Sequence, residues 1–168
     1  MNGINEKDIY TFVDAVSNFF FHATQEKVEI KTAYLLENDV PSATFDLTSY
    51  ITLSGGFTGR IYFSAPRSMM THLLLTMGEQ NRDNDRLLDA AGEIANTISG
   101  NARRHFGETM EISVPTSQAT EPDWLKTVVS PHSYVILVKW KHYRASVVVD
   151  IQRIAQKETS VERKPCRS

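Results

Sequence analysis

The sequence predicts an α+β fold with a largely antiparallel β-sheet and helices packed on one face. The predicted elements run in the order one helix, three strands, two helices and three strands, which contains no regular strand–helix–strand repeat. Gly55 and Gly56 lie between two short alternating segments, where both are expected to supply the positive φ that a hairpin loop needs. These two observations favour antiparallel pairing over an alternating parallel sheet.

The first half of the chain predicts one helix, three strands and a second helix. Apolar residues at helical spacing mark a helix over residues 6–24, and a β-rich run over 28–36 ends at turn residues 38–41. Segments 50–54 and 59–65 form the predicted hairpin. Pro66 is suited to the first turn of a helix that extends to about Met77.

The second half predicts a long helix followed by three strands. Asp and Asn residues in the polar turn 81–85 are suited to cap that helix. Residues 110–114 form a predicted strand that ends at Pro115, and a polar loop continues through Pro122. Two β-rich runs follow, at 133–140 and 145–151. We expect one domain over residues 1–155 and a disordered tail over 156–168.

Composition argues against several classes of function. A formal net charge of −2 in 168 residues provides no basic field for nucleic acid. The single cysteine, Cys166, rules out a disulfide framework, and the five histidines lack the spacing of a metal site. No apolar run suggests a signal peptide or a membrane span. A cytoplasmic protein that binds no metal, no nucleic acid and no membrane is therefore expected.

The helix over residues 89–101 carries the clearest functional signal. Glu93, Asn96, Gly100 and Arg103 all fall within about 40° of Asp89 around the helix axis, so they share one polar face. Apolar residues occupy the opposite face. A solvated surface is the ordinary interpretation of such a face.

Two glycines make the solvated-surface interpretation less satisfactory. Gly92 and Gly100 lie on or beside the polar face, although each costs a helix about 1 kcal/mol relative to alanine. We therefore interpret them as places where another backbone approaches closely. The polar face also bears carboxylate and carboxamide groups rather than a mixed Lys/Glu coat.

The run DAAGEIANTISGN over residues 89–101 resembles the signature of the CheX/CheC chemotaxis phosphatases, which is Asp or Ser, three residues, Glu, two residues and Asn, with a later Pro. The glycine-bracketed hairpin and the strand ending in Pro115-Thr116 are similar to those of the same family. CheC-like members carry two Glu-x-x-Asn motifs, whereas this chain has one, at Glu93 and Asn96. The resemblance therefore points to the CheX branch and implies a CheC-like fold.

The resemblance also implies a function. Family members hydrolyse the phospho-aspartate of a CheY-like receiver domain, the module of response regulators. Asn96 would orient the attacking water, and Glu93 would pair with the receiver's lysine. Asp89, Gly92, Gly100 and Arg103 are the expected partner-binding residues, although Asp89 near a helix N-terminus also has a structural explanation through the helix dipole.

The resemblance assigns no cofactor to this chain, because the Mg²⁺ would belong to the receiver domain. Pro115 is expected to be structural. The main alternative is a non-catalytic homodimeric binding module of the same fold, similar to the middle domain of flagellar switch proteins. A homodimer is expected in either case, and runs 133–140 and 145–151 are long enough for an exposed sheet edge to pair with a second copy.

Overall fold

The computed structural model describes residues 3–34, 43–121, 123–131 and 133–155. The turn predicted at 38–41 and the tail predicted at 156–168 lie outside these residues. The helices and strands of the described chain are α1 (Glu6–Thr24), β1 (Glu29–Tyr34), β2 (Leu47–Gly55), β3 (Phe57–Ala65), α2 (Arg67–Thr76), α3 (Asn84–Phe106), β4 (Met110–Ile112), β5 (Thr116–Ala119), α4 (Trp124–Val128), β6 (Tyr134–Trp140) and β7 (Tyr143–Arg153).

All strand pairs in the described sheet are antiparallel, which confirms the predicted α+β class. The strand order is β1-β6-β7-β3-β2, and both β4 and β5 pair with the remaining edge of β2. Met110 of β4 lies opposite Gly55, whereas Ala119 of β5 lies opposite Leu47. The two short strands therefore line opposite ends of one edge, and Pro115 in the segment between them packs against α3.

The prediction that residues 133–140 and 145–151 offer a free sheet edge is wrong. They form β6 and β7, which pair with each other and are flanked by β1 and β3. A central strand has no unpaired backbone groups to offer a second copy. The edges among the described strands are β1 on one side and β4 with β5 on the other.

The main hydrophobic core lies between α1, α2, α3 and one face of the sheet. Alternation along β3 sends Ile61 and Phe63 into this core, while Tyr62 points to the opposite face. On that opposite face, Leu125 of the short helix α4 packs against Tyr62, and the Trp124 ring stacks on Tyr50. The expectation that all helices pack on one face is thus corrected by α4.

Two further predictions are corrected. The loop expected through Pro122 contains β5, whose Thr116 lies opposite Tyr50 of β2. Of the glycine pair in the hairpin, only Gly55 has a positive φ, of 77°. A β-carbon at Gly55 would lie 2.3 Å from the Thr109 carbonyl oxygen, so the close approach of another segment also requires glycine there.

Candidate functional site

Helix α3 is held in place at both ends and along one side. The Asp83 side chain caps its N-terminus by accepting a hydrogen bond from the Arg86 amide at 2.9 Å. Its last turn contains basic residues, which favour a helix C-terminus electrostatically. The side that faces the core is apolar and consists of Leu87, Ala91, Ile94, Ile98 and Ala102, all buried. The opposite face is therefore presented to solvent in a fixed orientation.

Glu93 and Asn96 lie together on that exposed face, as the sequence predicts. They are separated by one helical turn, with Asp89 one turn before Glu93. The Asn96 carboxamide forms no hydrogen bond with any residue that the structure describes. Its donor and acceptor are both available to a molecule that docks here.

A groove runs beside this pair, between α3 and the segment that joins β4 to β5. Asp89, Glu93 and Asn96 line its helical side, and residues 112–115 line the other. Ser113 fixes this second wall, because its backbone amide donates to the Thr52 carbonyl at 3.0 Å and its hydroxyl accepts from the Thr52 amide at 2.9 Å.

Val114 projects from the same wall and is 82% exposed, the most exposed of the large hydrophobic residues described. Single exposed apolar side chains are common on protein surfaces, so Val114 extends the groove wall without by itself marking a contact surface. Sequence reasoning missed Val114, because nothing in the sequence shows that its strand ends at Ile112.

Gly92 lines the groove, but the close approach expected there comes from this chain and not from a partner, which corrects this part of the sequence interpretation. Gly92 is buried, and a β-carbon there would lie 3.1 Å from Ser117 Oγ and 3.3 Å from Pro115 Cγ. The close approach is made by the chain's own β4–β5 segment. The contact also gives Pro115 the structural role expected of it.

Gly100 has the open surroundings that Gly92 lacks. Apart from its chain neighbours and the backbone of its own helix, no atom lies within 4 Å of the position of its absent β-carbon, and Gly100 lines a continuation of the groove together with Asn96 and Arg103. Arg103 is exposed, but its Nε donates to the Met110 carbonyl at 3.1 Å. The guanidinium is thereby anchored to β4 beside the groove.

Asp89 lies too far into the helix for the dipole explanation to hold. Helix α3 begins at Asn84, five residues before Asp89, whereas the effect of the dipole falls off within the first turn. The Asp89 carboxylate is exposed, lines the groove and has no hydrogen-bonding partner among the described residues. A role at the groove is therefore the better interpretation of Asp89.

Sequence reasoning also missed Arg86, which contacts Glu93. Arg86 Nη1 donates to Glu93 Oε1 at 3.2 Å, and Arg86 Nη2 donates to Glu79 Oε1 at 2.7 Å. The hydrogen bond to Arg86 lowers the pKa of the Glu79 carboxyl. The contact could have been predicted from the spacing of seven residues between Arg86 and Glu93, which places both side chains within about 20° of each other around the helix.

The described residues contain no group of three or more His, Cys, Asp or Glu side chains placed to hold a metal ion. Two of the histidines have other contacts: the rings of His105 and His72 lie within hydrogen-bonding distance of Asp8 and Tyr143, at 3.0 and 3.1 Å. In the same parts of the chain, no helix is long and apolar enough to cross a membrane.

Comparison with known families finds one match. The family model described as chemotaxis phosphatase CheX matches residues 47–139, which include the β2–β3 hairpin, α3 and the whole groove. None of the curated proteins matches the sequence.

Solved structures share the fold at low sequence identity. The chemotaxis protein CheX from Vibrio vulnificus has a TM-score of 0.71 at 14% identity, covering 87% of this chain and 99% of its own. CheX in the CheX-CheY-BeF3-Mg+2 complex from Borrelia burgdorferi has a TM-score of 0.67 at 16% identity, covering 86% and 97%. FliY from Thermotoga maritima has a TM-score of 0.57 at 14% identity, covering 88% and 91%. These likenesses establish the CheC-like fold.

Proposed function

Because the chain belongs to the CheX family of chemotaxis phosphatases, we propose that it hydrolyses the aspartyl phosphate of a CheY-like receiver domain. The observation that carries the proposal is the unbonded carboxamide of Asn96, exposed one turn from Glu93 on a helix whose other side is buried. The Borrelia burgdorferi complex of CheX with CheY supports the class of partner.

Asn96 supplies the catalytic group in this proposal. Its carbonyl oxygen accepts a hydrogen bond from water, and its amide nitrogen donates one, so that the water is held in line with the phosphorus. The water oxygen forms a bond to phosphorus as the bond to the aspartyl oxygen breaks. The products are inorganic phosphate and the free aspartate of the receiver, and no covalent intermediate forms on this chain.

Glu93 supplies the docking group. Its side chain is 62% exposed, and no described residue donates to its Oε2. A carboxylate in this state can accept the ammonium group of a receiver lysine. Asp89, Gly100 and Arg103 extend the contact along the groove, while Gly92 serves the helix packing described above.

The Mg²⁺ of the reaction belongs to the receiver domain in this proposal, where it neutralises charge on the phosphoryl oxygens. The groove residues of this chain are suited to a different task. They include two carboxylates, Asp89 and Glu93, on successive turns, and no third His, Cys, Asp or Glu side chain lines the described groove. Docking alone brings the amide and the receiver's metal to the same phosphoryl group.

The test is the decay of phosphorylated receiver domains encoded in the same genome, followed with wild type, Asn96→Ala and Glu93→Gln. Loss of a single positioning group lowers kcat by about 100-fold, which is the expected effect of Asn96→Ala. Loss of one partner of a charged interfacial pair raises KM by about tenfold or more, as expected for Glu93→Gln. Asn18→Ala, on the exposed side of α1, is the matched control.

The alternative of a non-catalytic binding module gives a different result. Such a module binds the receiver without accelerating phosphate loss, and Asn96→Ala leaves the decay rate unchanged. If the folded wild type hastens no receiver's dephosphorylation, the catalytic proposal fails. If Asn96→Ala is as active as wild type, the water-orienting role fails while the phosphatase assignment stands.

A further inference from the structure

Arg86 connects the proposed docking residue Glu93 to the loop before α3. Its guanidinium uses all three nitrogens: Nε and Nη2 contact the two Glu79 carboxylate oxygens at 3.3 and 2.7 Å, and Nη1 contacts Glu93 Oε1 at 3.2 Å. The two-pronged contact with Glu79 fixes the plane of the guanidinium. The third nitrogen is thereby aimed at Glu93.

Glu79 is itself fixed, because it belongs to the C-terminal cap of α2. Gly78 adopts a left-handed conformation with φ 81°, and the Glu79 amide donates to the Leu74 carbonyl at 2.9 Å. The backbone of Glu79 is therefore part of a hydrogen-bonded turn. A chain of contacts runs from the end of α2 through Glu79 and Arg86 to Glu93.

The Arg86 and Glu93 side chains differ in their exposure to solvent. The Arg86 side chain is only 18% exposed, whereas that of Glu93 is 62% exposed. Arg86 occupies Oε1 of Glu93 and leaves Oε2 without a donor among the described residues. The contact with Arg86 favours one orientation of the carboxylate and leaves one oxygen for an incoming cation.

We propose that Arg86, clamped by Glu79, is a positioning residue that holds the Glu93 carboxylate ready for the receiver's lysine; this rests on the proposed function. Fixing the side chain before docking reduces the entropy that binding must remove. Arg86 could also weaken docking, because its positive charge repels that of the receiver's lysine. Repulsion predicts tighter docking when Arg86 is neutralised, whereas positioning predicts weaker docking, so the sign of the change distinguishes them.

The experiment measures KM and kcat for a phosphorylated receiver with the full chain carrying Arg86→Gln, Arg86→Lys or Glu79→Gln. We expect KM to rise about two- to fivefold in each, the range of an exposed ion pair, with kcat unchanged. Arg86→Lys retains the charge but loses the planar fork, so it should resemble Arg86→Gln. Arg67→Gln is the control. It also removes a positive charge, at the start of α2, but Arg67 contacts the neutral side chain of Asn84, so KM should be unchanged.

A double-mutant cycle tests whether Arg86 acts through Glu93. In a Glu93→Gln background, Arg86→Gln should add no further rise in KM. Thermal unfolding followed by circular dichroism verifies that each variant is folded. A lower KM for Arg86→Gln, a wild-type KM for Arg86→Lys, or additive effects in the cycle would each overturn the proposal.

A measurement on the free protein distinguishes failure of the positioning role of Arg86 from failure of the proposed function. NMR scalar couplings should report one dominant side-chain rotamer for Glu93 in wild type and averaged rotamers in Arg86→Gln and Glu79→Gln. Averaged couplings in wild type overturn the positioning role whatever the enzymatic activity. A single rotamer in a chain that dephosphorylates no receiver rejects the phosphatase function and, with it, the role of Arg86 in docking.

Discussion

Replacing Gly100 by alanine should stabilise the protein and weaken its docking. Alanine is favoured over glycine inside a helix by about 0.8 to 1.0 kcal/mol, and at Gly100 the new methyl group meets no atom within 4 Å beyond its chain neighbours and its own helix backbone. The gain should therefore be nearly complete, raising the midpoint of thermal unfolding by about 2 to 4 °C. The methyl group enters the groove one turn from Asn96, so KM for a phosphorylated receiver should rise.

Gly92→Ala makes the same chemical change in the same helix and should not stabilise. The methyl group would lie 3.1 Å from Ser117 Oγ, which is held by a hydrogen bond with Ser49, and 3.3 Å from Pro115. Overpacking of this kind costs about 1 to 3 kcal/mol, which cancels or exceeds the helix-propensity gain. Urea unfolding of both variants measures the difference. Equal shifts of the same sign would refute the distinction drawn between the two glycines.

Three further predictions concern stability and assembly. Burial raises the pKa of Asp8, but the Asn5 amide and His105 outweigh it and hold this pKa below its ordinary value. The stability linked to this carboxylate should therefore be full above about pH 4 and be lost on acidification. In urea titrations at pH 7, Asp8→Ala should cost about 1 to 2 kcal/mol, because it removes the acceptor of the Asn5 amide in the capping box of α1. Leu125→Ala should cost about 2 to 5 kcal/mol in the same assay, because Leu125 anchors α4. Light scattering tests the predicted homodimer, for which twice 19.0 kDa is expected.

The long, strongly patterned elements could be predicted from the sequence. The first helix was predicted over residues 6–24 and occurs as Glu6–Thr24, because apolar residues at helical spacing fill its buried side. The short elements could not. Strand β5 has the sequence TSQA, whose polar residues read as a loop, and it is a strand only because the edge of β2 offers it hydrogen-bonding partners. Helix α4 has five residues, too few to show a period.

At the site, the sequence located side chains on the helix but not what lies opposite them. Helical geometry correctly placed Glu93 and Asn96 on one exposed face, since the angle around a regular helix follows from residue number alone. The role of Gly92 was misinterpreted because its neighbours, Pro115 and Ser117, are more than twenty residues away in sequence. Sequence reasoning likewise cannot show that Glu79 fixes Arg86, because that contact depends on the turn between two helices.

If the proposed function holds, the rigidity of α3 explains how two side chains suffice for catalysis. Ile94, Ala95 and Ile98 are buried between and beside Glu93 and Asn96, so the backbone that carries the pair is fixed before docking. With Glu93 held by Arg86, only the Asn96 side chain remains to be ordered, at about 0.5 to 1.5 kcal/mol. A single charge-assisted hydrogen bond from the receiver, worth about 1.5 to 3 kcal/mol, is of the size needed to offset that cost. Under the proposed function, an exposed helix with little pocket of its own then acts on a phosphoryl group that the partner's own site already holds.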